Sequence, residues 1–328
     1  MAGALPWKLL QCCVFSFSYS ADPSRATLRP LHTNLAGEMV LSMNTSLYPK
    51  YVDRRTLWLS ILFILTSQTI FMESSFSNSP DGFKDLVLHL KFDDGAPSST
   101  AVDSSDYHLD GQLLNMDDLA WQAGVAGMAL SFDGVNDYVE VPDNEALDFG
   151  AGNFTVSFWF YKLATASNWS NTYGVNKWKS GAARGTNEWL LSIGGQTDKD
   201  TPGFGVEIGS TSYGIGHASE VTLHEWHHIV GVRKNNTLSL YIDGALSGRI
   251  ETLPVGGAIN NVGNSLRVAV NQYTPFLPYS NAIFDDIQIY NFALDDGDVA
   301  VGELADEGIR FLFENPGVTV TIFDDSFE

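Results

Sequence analysis

The chain has 328 residues, with 18 Lys and Arg against 39 Asp and Glu, a formal charge of −21, and 44% hydrophobic residues including 20 Phe, 12 Tyr and 8 Trp. That is enough apolar and aromatic material for a full core, which excludes general disorder. A surplus of carboxylates with no basic cluster to neutralise several phosphates excludes nucleic acid as a partner.

The acidity is uneven. The first 75 residues hold six cations and four anions, leaving 12 cations against 35 anions, a charge of −23, for the remainder. Both cysteines, Cys12 and Cys13, are adjacent near the start, so nothing downstream offers a disulfide, a Cys-ligated zinc or a catalytic thiol. Residues 56–72 read TLWLSILFILTSQTIFM, an uncharged run preceded by Lys50, Arg54 and Arg55. A cationic flank followed by an apolar stretch predicts a signal peptide or a single-pass membrane anchor. Because it begins far from residue 1, with Met43 placed to start a compact leader, residues 1–42 read as an over-extended gene model, the alternative being a true N-terminal membrane anchor. Residues 1–77 are therefore a leader, and the acidic remainder is expected to be secreted or held at the cell surface.

Beyond residue 77 short apolar alternations are punctuated by Gly, Asn, Asp and Pro. They predict strands over 86–92, 129–132, 138–141, 154–161, 189–193, 204–208, 229–233, 238–243, 266–270 and 284–290. In FTVSFWFY, Phe154, Val156, Phe158 and Phe160 share one face, and Thr155, Ser157, Trp159 and Tyr161 the other. Asn235 and Asn236 lie between two such runs and predict a tight hairpin, since Asn tolerates positive φ. A helix is expected over 295–305, where acidic residues crowd the first turn. Residues 78–308 read as one domain. Residues 309–328, with alternating Val318, Val320 and Ile322 after an Asn-Pro-Gly turn, read as an added edge strand or the start of a further module.

The stretches LVLHLKFDDG, AVDSSDYHLDGQL, MALSFDGVNDYVEVPDN, FTVSFWFY, EWHHIVGVRKNNTLSLYIDGALSG and IFDDIQIYNFALDDGDV, in this order, resemble the laminin G-like jelly roll of the concanavalin A-like lectin and glucanase superfamily. The resemblance implies an all-β fold, an antiparallel two-sheet sandwich whose first and last strands are neighbours. That fold hosts binding modules, adhesion domains and glycoside hydrolases alike, so the site has to decide the function.

His224-Glu225-Trp226-His227-His228 spells the HExxH zinc-protease pattern, but that chemistry needs a helix. On a strand, residues four apart are about 13 Å distant, too far to share a zinc with bonds of about 2 Å. The resemblance makes this stretch the Trp-His-His start of a core strand, with Trp226 packing beneath the sheet. Laminarinase-like relatives carry paired carboxylates on one strand; here the nearest set, Glu140, Asp143 and Glu145, has the wrong first interval and contains Pro142. No catalytic residues are therefore assigned.

For a metal, Asp93 and Asp94 end the first strand and Asp285 and Asp286 lie in the last. If these strands are neighbours, the four carboxylates converge, and the loop at Asp103 could add oxygens to a structural Ca2+ site. Asp285 shares parity with Ile287 and Ile289 and would point inward, needing a cation or donors to offset its burial. For a ligand, Trp159, Tyr161, Trp178 and Trp189, with Trp169, are candidate stacking platforms for sugar rings. The expected function is a non-catalytic binding or adhesion module for carbohydrate or an extracellular protein, the alternatives being a β-glucan hydrolase and a structural module of a larger surface protein.

Overall fold

The computed structural model describes residues 86–320, apart from 168–169, 180–186, 196–198, 260–262, 273–277, 295–299, 304 and 306. The apolar run 56–72 lies outside the described residues, and so do Trp169 and Ile322. Among the described residues no helix is long and apolar enough to cross a membrane.

The strands are β1 (Leu86–Leu90), β2 (Thr100–Ala101), β3 (Gly111–Leu114), β4 (Trp121–Ala123), β5 (Met128–Asp133), β6 (Tyr138–Val141), β7 (Phe154–Lys162) and β8 (Tyr173–Lys177). They continue with β9 (Trp189–Ser192), β10 (Gly203–Ile208), β11 (Thr211–Gly216), β12 (Trp226–Lys234), β13 (Thr237–Ile242), β14 (Ala245–Ile250), β15 (Leu266–Val268) and β16 (Asn281–Tyr290). All pairings are antiparallel. The first sheet runs β14-β13-β12-β7-β16-β5-β4, with β1 also on β16; the second runs β11-β10-β9-β8-β15-β6-β3-β2. All ten expected strands form, and the first and last do pair. The six missed strands, β2, β3, β4, β8, β11 and β14, are short, or rich in Gly and polar residues, so their alternation is weak.

The core lies between the sheets because strand alternation turns one face of each inward. Phe154, Val156, Phe158 and Phe160 of β7 meet Leu191, Phe204, Val139 and Val268 of the second sheet, all essentially without exposed surface. Burying side chains of this size stabilises by about 1.5–3 kcal/mol each relative to exposure. Asn235 takes φ +55 in the two-residue connection from β12 to β13, as its side chain allows.

Strand β16 organises the first sheet. One of its edges pairs with β7 along most of its length, while the other pairs with β5 over Asn281–Phe284 and with β1 over Ile287–Tyr290. The partner changes at a β-bulge, where Asp286 adopts φ +49. The bulge also breaks the expected parity: Phe284, Ile287 and Ile289 all face the core, so Asp285 does not share the inward face of the isoleucines.

Helix α1 spans Glu307–Glu314, whereas 295–299 and 304 of the helix expected over 295–305 lie outside the described residues. Residues 301–303 form a turn, and Gly302 and Glu303 exchange backbone bonds with Leu246, covering the edge of β14. Ile309 and Leu312, at helical spacing, bury themselves against Val230, Val232, Tyr241 and Tyr290 on the outer face of the first sheet. The expected boundary at 308–309 thus falls inside α1. Residues 318–320 form no strand; instead the Val320 N–H donates to the Tyr290 hydroxyl at 3.0 Å and the Val318 carbonyl accepts from Gln288 at 3.1 Å.

Candidate functional site

Alternation sends half of each strand of the second sheet away from the core, and these residues line up across seven strands. The register runs Gln112, Glu140, Arg267, Asn176, Leu190, Gly205, Gly214, from β3 to β11. A parallel row pairs Ser192 with Gly203 and Gly203 with Gly216. Their strand neighbours Val139, Leu191, Phe204, Leu266 and Val268 are buried in the core, which fixes these rows on the outer face. The β10–β11 end is a shelf floored by Gly203, Gly205, Gly214 and Gly216. A β-carbon at Gly216 would meet nothing within 4 Å, one at Gly205 or Gly214 only backbone atoms at 3.5 Å or more, and one at Gly203 the Ile215 carbonyl at 3.0 Å and the Ser192 hydroxyl at 3.3 Å. The backbone there lies bare because its side chains are missing, not because something covers it.

The other end of the row is aromatic and charged. Arg267 donates from Nε to Glu140 Oε2 at 2.7 Å and from Nη2 to the same oxygen at 2.6 Å. Its guanidinium carbon stands 5.0 Å from the ring centre of Tyr138, whose ring lies 6.3 Å from that of Tyr279. Burial, then the neighbouring Tyr138, pushes the Tyr279 hydroxyl pKa up against the opposing pull of Arg267. Asn176 is held by its Nδ2 donating to the Val270 carbonyl at 3.0 Å, and its Oδ1 accepts from the Trp178 N–H at 3.2 Å. Trp178 is therefore half-buried beside the row. The face combines ring faces, a paired charge and the exposed Gln112 amide with open backbone, while Asn176 between them is fully buried. Sequence reasoning passed over it, although Gly203-Phe-Gly205 and Gly214-Ile-Gly216 alternate glycine with apolar residues at strand spacing.

The aspartates do converge, but onto backbone N–H groups. Asp93 Oδ1 accepts from the Met128 N–H at 2.7 Å, and Asp285 Oδ2 accepts from Val125 and Ala126 at 2.8 and 3.1 Å. Both thus grip the turn between β4 and β5, whose donors are left over where β16 changes partner. Asp286 accepts from the His89 ring at 2.7 Å, from Gln288 at 2.9 Å and from the Gly317 N–H at 2.7 Å. Burial would raise its pKa, but the bond and charge of His89 with these further donors hold it below the ordinary value. Asp94 accepts from Val102, while Asp103 is buried in its own loop and accepts from His89, Ser105 and Leu109. Calcium wants six to eight oxygens facing one point. Carboxylates that each already accept from N–H donors do not fit that demand, and among the described residues no group of three or more His, Cys, Asp or Glu could hold a metal ion.

The tryptophans separate. Trp189 is fully buried between the sheets against Phe149 and Phe154 and belongs to the core, because the β8–β9 register turns it inward. Trp159 is on the outer face of the first sheet but only 8% exposed, since Phe313 of α1 stacks on it, centroids 5.6 Å apart and planes at 14°. Tyr161 stays half-buried beside Trp226 and His224. Trp226, its cross-strand partner, is also half-buried on that outer face and not beneath the sheet.

The three histidines of HExxH go to different partners. His224 precedes β12 at φ +60, His227 bonds Asp243 at 2.9 Å, and His228 bonds Ser157 at 2.8 Å. The bond to Asp243 raises the His227 pKa, whereas burial lowers that of His228 to about 4 despite the attraction of Asp286 and Asp243. Of the carboxylates set beside the hydrolase pattern, Glu140 is paired with Arg267, while Asp143 accepts from Lys177 at 2.8 Å and from the Gly263 N–H at 2.6 Å. Glu145 opens a short 3-10 turn.

No curated protein matches the sequence significantly. Similar solved structures include domain 4 of AbnA, a GH43 extracellular arabinanase from Geobacillus stearothermophilus, in complex with arabinotriose (18% identity, 64% of this chain and 93% of that one, TM-score 0.48). They also include the binding domain of Paraclostridial Mosquitocidal Protein 1 (18% identity, 70% and 52%, TM-score 0.49) and that of Botulinum Neurotoxin DC in complex with SialylT (17% identity, 70% and 51%, TM-score 0.49). The chain spans about half the length of these two toxin structures. Residues 133–300, just over half of the chain, match the laminin G-like family described as the concanavalin A-like lectin/glucanases superfamily. The two-sheet sandwich described above agrees with that match, and the chain belongs to this family.

Proposed function

We propose that this protein is a non-catalytic carbohydrate-binding module whose ligand lies along the outer face of the second sheet. The observation that carries the reading is the glycine shelf of Gly203, Gly205, Gly214 and Gly216, continuous in register with Leu190, Asn176, Arg267 and Glu140. A flat sugar chain can rest on bare backbone, donate hydroxyls to carbonyls and Glu140, and stack a ring on Tyr138 or Tyr279. The guanidinium of Arg267 is already matched by Glu140 and the chain carries a charge of −21, so the ligand is a neutral polysaccharide. The apolar run 56–72, read as a signal or anchor, supports action outside the cytoplasm, where such polymers are found. A hydrolase is the weaker reading because Glu140 and Asp143 are each bound to a cation, leaving neither poised as an acid or nucleophile.

The test is affinity electrophoresis and calorimetry against a panel of neutral polysaccharides, with Gly214→Leu to fill the shelf and Tyr138→Ala to remove the ring. Binding by the native chain, weakened about tenfold or more in each folded variant and without release of reducing ends, is the expected result. Binding that survives both variants would move the site elsewhere, and released reducing ends would make the protein a hydrolase.

A further inference from the structure

We propose that the seat of Phe313 on the outer face of the first sheet is a second sugar-binding site, held shut by the chain's own C-terminal helix. His228 on β12 and Asp285 on β16 are both direct cross-strand partners of Trp159 on β7, so the three form one row. Each carries a buried polar atom without a hydrogen-bond partner: His228 Nδ1, Trp159 Nε1 and Asp285 Oδ1. Folded proteins pair nearly all such atoms. Three at adjacent positions mark a place where a polar partner belongs.

What covers the Trp159 and His228 end of the row is apolar. The Phe313 ring lies flat on the Trp159 indole and 6.0 Å from the His228 imidazole. It rests also on Gly244, where a β-carbon would come within 2.8 Å of it, so the seat is shaped for a ring and walled by backbone. A phenyl ring satisfies the indole face and none of the three polar atoms. A pyranose satisfies both, because its C–H face stacks on the indole while its hydroxyls, donors and acceptors at once, suit an indole N–H, an imidazole nitrogen and a carboxylate oxygen. Asp243 and Asp286 beside the row disfavour an anionic sugar, so the ligand is a neutral pyranose unit. Helix α1 is suited to move: it is eight residues long, too short to persist undocked, and only Ile309 and Leu312 of it are buried.

The site lies on the opposite sheet from the glycine shelf, so the two can be tested apart. In the full chain carrying Gly214→Leu, Phe313→Ala should bind at least one of cellohexaose, mannohexaose and xylohexaose about tenfold more tightly than its parent, read by calorimetry and tryptophan fluorescence. Adding Trp159→Phe, which deletes the indole N–H, should erase that gain. A folded Phe313→Ala protein with unchanged affinity for all three sugars overturns the proposal. Should that variant not fold, amide hydrogen exchange on the native chain decides: residues 307–314 must exchange faster in excess of a binding sugar, and unchanged or slower exchange with all three overturns it.

Discussion

Asp93 and Asp285, from opposite ends of the sandwich sequence, hold the same β4–β5 turn, one through the Met128 N–H and the other through those of Val125 and Ala126. β-carbons built at Gly127 and Gly124 would come within 2.1 and 2.2 Å of these carboxylate oxygens, so the turn must be glycine at both points for the grip to exist. The arrangement does with two carboxylates what a bound cation was expected to do, namely tie the first and last strands together.

Asp285 sets one pH dependence. Burial, with a contribution from Asp286, raises its pKa from 3.8 to about 7 against the opposing hydrogen bonds from the turn. The folded state then keeps a proton that the unfolded chain gives up above about pH 4, so this group's contribution to stability falls as pH rises from about 4 to about 7. Asp285→Asn retains an acceptor for the turn and removes the charge. It should match the native protein at pH 4.5 and be more stable by on the order of 2 kcal/mol at pH 8 in urea melts. Equal stability differences at both pH values would refute the assignment.

His228 acts in the opposite sense. Its pKa is lowered to about 4 by burial, so the unfolded chain takes up a proton that the fold refuses, and stability is lost as pH falls from about 6.5 towards 4. The slopes of His228 and Asp285 therefore oppose each other over most of that window. In Asp285→Asn the acid sensitivity due to His228 should stand out, making that variant's stability rise more steeply between pH 4 and 6.5 than the native protein's. No rise in that variant's stability between pH 4 and 6.5 in denaturation series would show that His228 is charged in the fold.

Lys162 is fully buried with its ammonium 2.5 Å from Asp200, donating also to the Asn171 and Ile193 carbonyls. Burial lowers its pKa, partly offset by the bond and charge of Asp200. Asp200→Ala leaves a buried cation without its counter-charge and should cost about 3–5 kcal/mol by chemical denaturation, whereas Lys162→Met with Asp200→Leu should cost markedly less. Equal losses would mean that shape rather than charge matters there.

Glycines of the two faces should respond oppositely. Gly214→Leu adds a side chain to open space and should leave the melting temperature within about 2 °C while weakening polysaccharide binding. Gly231→Ala places its β-carbon 2.8 Å from the Phe204 ring inside the core and should destabilise by about 1–3 kcal/mol with little effect on binding by the molecules that remain folded. Thermal melts alongside binding isotherms separate the two cases.

The strand pattern was legible in the sequence because it is local: FTVSFWFY alternates core and outer residues whatever it pairs with, and Asn235 bends the chain by its own backbone preference. The role of the aspartates was not, since a bulge at Asp286 reverses the parity on which the inward direction of Asp285 was argued. The tryptophans look alike in sequence, yet Trp189 is core, Trp178 lies beside an open face and Trp159 lies under Phe313, a residue 154 positions further on. Val318 and Val320 show the same limit: they alternate as a strand would, but they follow the docked α1 and bond Gln288 and Tyr290 instead. By itself, then, the sequence determined an acidic, cysteine-free domain of short alternating strands, because charge and side-chain period are properties of neighbouring residues, and the antiparallel sandwich was what its resemblance implied. Only the tertiary structure decided which carboxylates meet N–H groups, which rings are covered and where bare glycine backbone lines up into a shelf, because each of these depends on strands brought together from distant parts of the chain.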